Sequence, residues 1–311
     1  MSSSFAADAP GKKAAPDLVL RGDAKCTSCH DEADAPQVLH IGRTKHCVKA
    51  DGRTPTCTSC HGESENHMKT AKAGGKNKPT PPDVTFGAKT QSTPEARNGA
   101  CLSCHKGDNK RVHWAGSKHQ TEDLACTSCH QLHVQNDKVM VKAKQAEVCY
   151  TCHKEQRMES KKISTHPLDA GKIACSDCHN PHGSAGNRLL KKNTLNETCF
   201  TCHAEKRGPF LWEHQPAAED CANCHTPHGS NLTPLLKARP NFLCQECHDG
   251  VHQSSTVQGP NAAGFQGGLT VQNAANNTIA NPSVGILGRA CMNCHTMVHG
   301  SNSPTGAWLH R

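Results

Sequence analysis

Aromatic side chains are nearly missing from this chain of 311 residues, which has one Tyr, three Trp and six Phe. Aliphatic residues do not make up the deficit. The hydrophobic share of 34% counts 21 Cys, and without them it is roughly 27%, far below that of ordinary domains. Such a chain cannot bury enough apolar surface of its own to offset the conformational entropy of ordering it. An ordinary two-domain globular enzyme is excluded. No apolar run approaches the length of a membrane-spanning helix. No alternation is long enough for a sheet. The stretch Met1–Ala9 has neither the basic nor the apolar region of an export signal. Either the chain is disordered, or something other than protein supplies its core.

The cysteines decide between the two. Ten C-x-x-C-H motifs hold Cys26/Cys29, Cys57/Cys60, Cys101/Cys104, Cys126/Cys129, Cys149/Cys152, Cys175/Cys178, Cys199/Cys202, Cys221/Cys224, Cys244/Cys247 and Cys291/Cys294. Their histidines are His30, His61, His105, His130, His153, His179, His203, His225, His248 and His295. This is the attachment signal of haem c. Two sulfurs add across the vinyl groups as thioethers, and the adjacent His ligates the iron from one face. Zinc knuckles, disulfide frameworks and Fe–S sites use cysteine pairs but do not require the fifth-position His. Ten such His by chance has a probability on the order of 10⁻¹¹. The expected cofactor is ten covalently attached haem c.

Haem c is attached outside the cytoplasm, so the expected compartment is the bacterial periplasm, with the export signal removed from a mature chain. The formal charge of +8 would suggest an acidic partner or nucleic acid. Ten ferric haems at about −1 each bring the holoprotein to about −2. Lys and Arg are thus expected to balance propionates, and no nucleic-acid partner is expected.

The chain recurs at intervals of 46 to 50 residues between Cys101 and Cys221. Each unit reads as first motif, spacer, His, second motif, His. Residues 1–25 form an N-terminal segment, and 26–311 are expected to be one decahaem run. Segments 68–100, rich in Lys, Gly, Pro and Thr, and 249–290, rich in Gln, Asn and Gly, read as surface loops. A contact surface is the other reading of 249–290. The expected fold is a multihaem cytochrome c, mostly coil with short α-helices wrapped around an extended stack of haems, with no significant sheet. One helix is expected within Val139–Arg157, and folding is expected only with cofactor.

Thirteen His remain after the ten motif His. Those at equivalent points in the units are His46, His67, His119, His133, His166, His182, His214, His228, His252 and His299, a full distal set if every haem is bis-His. His40, His113 and His310 are left as non-ligands. A His three or four residues past a motif His cannot reach the far face of its own porphyrin, so it is expected to serve a neighbouring haem. The six Met do not recur with the repeats, which disfavours Met ligation. Cys47 belongs to no motif and reads as a free thiol, with an intermolecular disulfide as the alternative.

Ser-Thr-His-Pro around His166, Cys-His-Asn-Pro-His-Gly-Ser through Ser184 and Ala-Glu-Lys-Arg-Gly-Pro at 204–209 carry a resemblance. So do Leu-Trp-Glu-His ending at His214, Cys-His-Thr-Pro-His-Gly-Ser through Ser230 and Val-His-Gly-Ser through Ser301. The chain from Cys26 onward resembles the periplasmic decahaem cytochromes of the Mtr, Mto, Pio and Dms type, from metal-reducing and iron-oxidising bacteria. That resemblance implies bis-His ligation and a near-linear haem wire inserted into an outer-membrane β-barrel porin. Implied partners are that porin, periplasmic or inner-membrane cytochromes, and extracellular cytochrome or iron. The segment before Cys26 is more similar to the Mto kind, which implies electron uptake from ferrous iron. The expected role is an electron carrier with no catalytic residues. The alternatives are a freely diffusing periplasmic shuttle or store, and a multihaem reductase of a small oxyanion, which would need an open iron position.

Overall fold

The computed structural model describes residues 23–47, 54–75, 77–87, 89–248, 271–272, 278–279, 290–304 and 306–310. The chain divides after Val148 into two compact units, 1–148 and 149–311. The division falls at the start of a dihaem repeat, immediately before the motif at Cys149.

Both units are coil punctuated by short helices and single 3₁₀ turns, the longest helix being Pro94–His105. The only described strands are the two-residue segments Val271–Gln272 and Thr278–Ile279, paired antiparallel. Several helices begin for a plain local reason. The Thr93 hydroxyl accepts from the Ala96 amide ahead of Pro94, a residue suited to a first helical turn. Thr194 caps Leu195–Cys199 in the same way. Thr56 and Ser59 satisfy each other's amides across the start of Cys57–His61.

In the described motifs the His amide bonds to the carbonyl of the first Cys, at 3.0 Å for His30, 2.9 Å for His130 and 2.9 Å for His248. This single turn places two sulfurs and an imidazole around one opening. Among the described residues the buried hydrophobic side chains are few, and half of them are alanine: Ala125, Ala146, Tyr150, Ala174, Leu190 and Leu236. The protein packs little of its own matter at its centre, as the composition requires.

The region expected to be helical within Val139–Arg157 is broken in two, Lys142–Cys149 and Lys154–Glu159, because the motif turn at 149–153 interrupts it. Segment 68–100 differs more from the loop expected of it. It is helical at both ends, through Ala73 and from Pro94. Between them, the Asp83 carboxylate accepts from the Ser64 amide at 2.8 Å, and the Val84 amide donates to the His61 carbonyl at 3.1 Å. Lys and Gly keep it at the surface, but Asp83 and Val84 fasten it to the second motif. Residues 249–270 and most of 273–289 lie outside the described residues.

Candidate metal centres

The sulfurs order the motifs. Cys26 neighbours Cys57, Cys101 neighbours Cys126, Cys149 neighbours Cys175, Cys199 neighbours Cys221 and Cys244 neighbours Cys291. In each case the first Cys of one motif meets the first Cys of the next, which groups the motifs into pairs. Second cysteines meet between pairs: Cys60 lies in electrostatic range of Cys104, Cys178 of Cys202, and Cys224 of Cys247. The motifs therefore follow one another in chain order within each unit. Among the described residues no three His, Cys, Asp or Glu side chains converge where a bare ion could sit.

The two sulfurs of a motif are not equivalent, a difference the spacing alone did not reveal. Every first Cys is half-buried, whereas the second is exposed at Cys29, Cys104, Cys129, Cys152, Cys202, Cys247 and Cys294 and half-buried only at Cys60, Cys178 and Cys224. Cys29 has the Ser28 hydroxyl at 3.9 Å, and Cys152 has the Thr151 hydroxyl at 3.8 Å. The physical reason lies in the turn: the first Cys faces the first Cys of the partner motif, which helps to cover it, and the second, three residues on, does not. Exposure there suits a thioether, whose sulfur must reach a vinyl group lying beyond the protein's own atoms.

A buried carboxamide secures two of these pairs, at a position sequence reasoning overlooked. Asn98 donates to the Leu124 carbonyl at 3.1 Å and accepts from the Cys126 amide at 2.7 Å. Asn196 donates to the Ala217 carbonyl at 3.1 Å and accepts from the Cys221 amide at 2.7 Å. Asp23 accepts from the Cys57 amide at 2.6 Å. All three stand three residues before the first Cys of a pair, and Asn241 occupies the same offset before Cys244. That recurrence of Asp or Asn was visible in the sequence.

The imidazoles are aimed by their Nδ1 atoms. Among the motif histidines, Nδ1 of His61, His179, His225 and His295 donates to the carbonyls of Val84, Arg188, Pro234 and Trp308, at 2.8, 2.9, 2.8 and 2.6 Å. Beyond the motifs, His67, His133, His166 and His214 donate to the carbonyls of Thr80, Val38, Pro227 and Val298, at 2.7, 2.7, 3.0 and 2.8 Å. A carbonyl can only accept, so the proton is fixed on Nδ1 and Nε2 is left for a metal. Burial pushes His46, His61, His105, His179 and His299 below the usual imidazole value, which favours the neutral form that ligation needs. Three motif histidines have different neighbours: His130 faces the Asp137 carboxylate at 2.8 Å, His105 faces the Arg111 guanidinium at 3.2 Å, and Nδ1 of His203 lies 3.8 Å from the Glu205 carboxylate.

Six motif histidines face a second imidazole across a nearly constant gap. Ring centroids are 6.1 Å apart for His30–His67, 6.2 Å for His61–His133 and 6.0 Å for His105–His46. They are 6.1 Å apart for His179–His228, His248–His214 and His225–His299. Two imidazoles trans on one metal, with bonds of about 2 Å and about 1.1 Å more from nitrogen to ring centre, hold their centroids roughly 6.2 Å apart. The gap fits an iron with a porphyrin between the rings, and a pair of motif sulfurs stands beside each.

Two backbone bridges deliver these rings. Ser164 and Ser230 exchange hydrogen bonds of 2.8 and 2.9 Å, and Trp212 and Ser301 exchange bonds of 2.9 and 2.8 Å. Each bridge ties the residue two before a spacer His to the residue two after a trailing His. Gly229 permits the first: a Cβ there would lie 2.1 Å from the Glu159 carbonyl oxygen. At Gly300 a Cβ would lie 2.2 Å from the Phe210 ring.

His310 lies 4.4 Å from the His295 ring, too close for an iron to stand between them. It occupies the place held at the two preceding pairs by buried Leu190 and Leu236, one residue past a positive-φ Leu, here Leu309. It is therefore beside the motif imidazole rather than opposite it. His252 lies outside the described residues. Cys47 is half-buried at the end of the turn Lys45–Cys47.

Paired motifs of this kind define the multihaem c-type cytochromes, and family comparison agrees. A doubled CXXCH motif model matches residues 166–208 and 214–253, and a model of NrfB-like c-type cytochromes matches 57–146. The multiheme cytochrome MtrA of Shewanella baltica is 42% identical over 94% of this chain and 82% of its own length. The c-type cytochrome NrfB of Haemophilus influenzae is 33% identical over 42% of the chain and 65% of its own length, and that of Escherichia coli is 30% identical over 43% and 67%. The chain belongs to the MtrA family of multihaem cytochromes. It carries haem c on its C-x-x-C-H motifs and serves electron transfer.

Proposed function

We propose that the protein is a periplasmic decahaem conduit whose irons are all closed by two histidines. The observation that carries this reading is the set of six imidazole pairs at 6.0 to 6.2 Å. His46, His67, His133, His214, His228 and His299 then serve as distal ligands to the irons on His105, His30, His61, His248, His179 and His225. A rule recurs: a spacer His serves the first motif of the following pair, and a trailing His serves the second motif of the preceding pair. By that rule His166 serves the iron on His203. His119, His182 and His252 complete the distal set. His30 has no pair before it and takes His67 from its own pair instead.

Iron with both axial positions filled accepts and releases an electron with little ligand rearrangement, and that is the chemistry the haems supply when bound. The chain's part is to hold Nε2 of each imidazole on the iron and to order the attachment sites. No described helix is long and apolar enough to cross a membrane. A wire of this kind would cross the outer membrane inside a β-barrel porin, a closed barrel leaving no unpaired backbone edge in lipid. It would link periplasmic or inner-membrane cytochromes with extracellular iron or cytochrome, in a direction set by those partners' potentials.

The test uses liposomes enclosing an oxidant, with a reductant outside. Enclosed oxidant should be consumed only when cytochrome and barrel are both in the bilayer. Equal consumption with the barrel alone, or failure of the two to co-purify, would leave a diffusing shuttle as the better account.

A further inference from the structure

His130 is held differently from the four motif histidines that lean on backbone carbonyls. Its Nδ1 lies 2.8 Å from Asp137 Oδ2. The carboxylate is well placed to stay there, since Asp137 opens the turn Lys138–Met140, where its Oδ1 accepts from the Val139 amide and its carbonyl from the Met140 amide at 3.0 Å. The contact is largely sheltered, with side-chain exposures of 16% for Asp137 and 31% for His130. In the same motif pair the other proximal ring, His105, faces the Arg111 guanidinium, which also bonds the Asp108 carboxylate at 2.5 Å.

We propose that Asp137 is a positioning residue that lowers the reduction potential of the haem ligated by His130. This rests on the bis-His reading above. An anionic acceptor draws the Nδ1 proton further than a neutral carbonyl does, and charge-assisted bonds are the stronger class. The ring then carries more imidazolate character and donates more charge to the metal, as in carboxylate–histidine–metal triads. Ferric iron gains more from that donation than ferrous iron, so the potential falls.

The experiment is a spectroelectrochemical titration of the full holoprotein and its Asp137→Asn variant, with haem counted by intact mass. Asn keeps a capping oxygen at the start of the turn and removes only the charge. One haem equivalent of ten should move to more positive potential while the remainder superimpose, and Asp137→Glu should restore the wild-type curve. Superimposable curves with a full haem count would overturn the proposal. If the Asn variant does not load every haem, Asp137→Thr gives the same reading. A missing haem in both makes Asp137 a folding residue and overturns the proposal too. The haem count and spin state of the wild type test the bis-His reading separately.

Discussion

Asn98 and Asn196 each tie the two motifs of a pair through one carboxamide, accepting from the second motif's first amide and donating to a carbonyl beside it. Removing either leaves a buried amide and a buried carbonyl without partners, at about 1–3 kcal/mol. Asn196→Ala is expected to lower the holoprotein's thermal midpoint by several degrees with the haem count unchanged, as scanning calorimetry would read. Ala146 stands at the equivalent position before Cys149 and has no such side chain, so that pair does without the link. The recurrence of Asx three residues before Cys26, Cys101, Cys199 and Cys244 is legible in the chain. It is easily missed because Cys and His dominate the pattern and hide a third periodic position. The attachment residues are legible for the opposite reason: covalent chemistry demands its residues at fixed spacing. How far each sulfur is covered is not, since the spacing of Cys26 and Cys29 is that of Cys57 and Cys60, yet Cys29 is exposed and Cys60 half-buried.

Distal histidines are a matter of elements. Each lies tens of residues from its partner, and what brings them together is backbone pairing such as Ser164 with Ser230, whose residues carry no distinctive side chain. Spacing could offer a set of candidates but not their assignment to irons. Gly229 marks one such junction. Gly229→Ala is expected to push apart Glu159 and the segment that carries His228, opening one iron and producing one high-spin haem by electron paramagnetic resonance. Gly99 provides the contrast. It sits inside the helix Pro94–His105 with nothing within 4 Å of an added Cβ, so Gly99→Ala should leave every iron low-spin and stabilise by about 0.5–1 kcal/mol in a thermal melt. Segment 68–100 shows the limit of composition as a guide. Its Lys, Gly and Pro mark a surface location, but whether such a segment hangs free depends on single contacts, here those of Asp83 and Val84.

At the scale of the whole molecule, a chain with so few buried hydrophobic side chains relies on its cofactors for a core. Covalent attachment makes haem binding part of folding, as metal binding is for small metal-dependent domains. A chain produced without haem attachment is expected to melt without cooperativity and to show little helical circular dichroism. The fold class followed from composition because a missing apolar core is a global property. The division after Val148 did not, since the repeats run through it with no change of pattern.

The central claim is that every iron is closed by two histidines. Low-temperature electron paramagnetic resonance of the fully oxidised protein, with haem quantified on the same sample, tests it most directly. Ten haems per chain are expected, all low-spin, with no signal change on adding nitrite or cyanide. A high-spin haem that binds either anion would contradict it, and would identify an open iron of the kind a reductase needs.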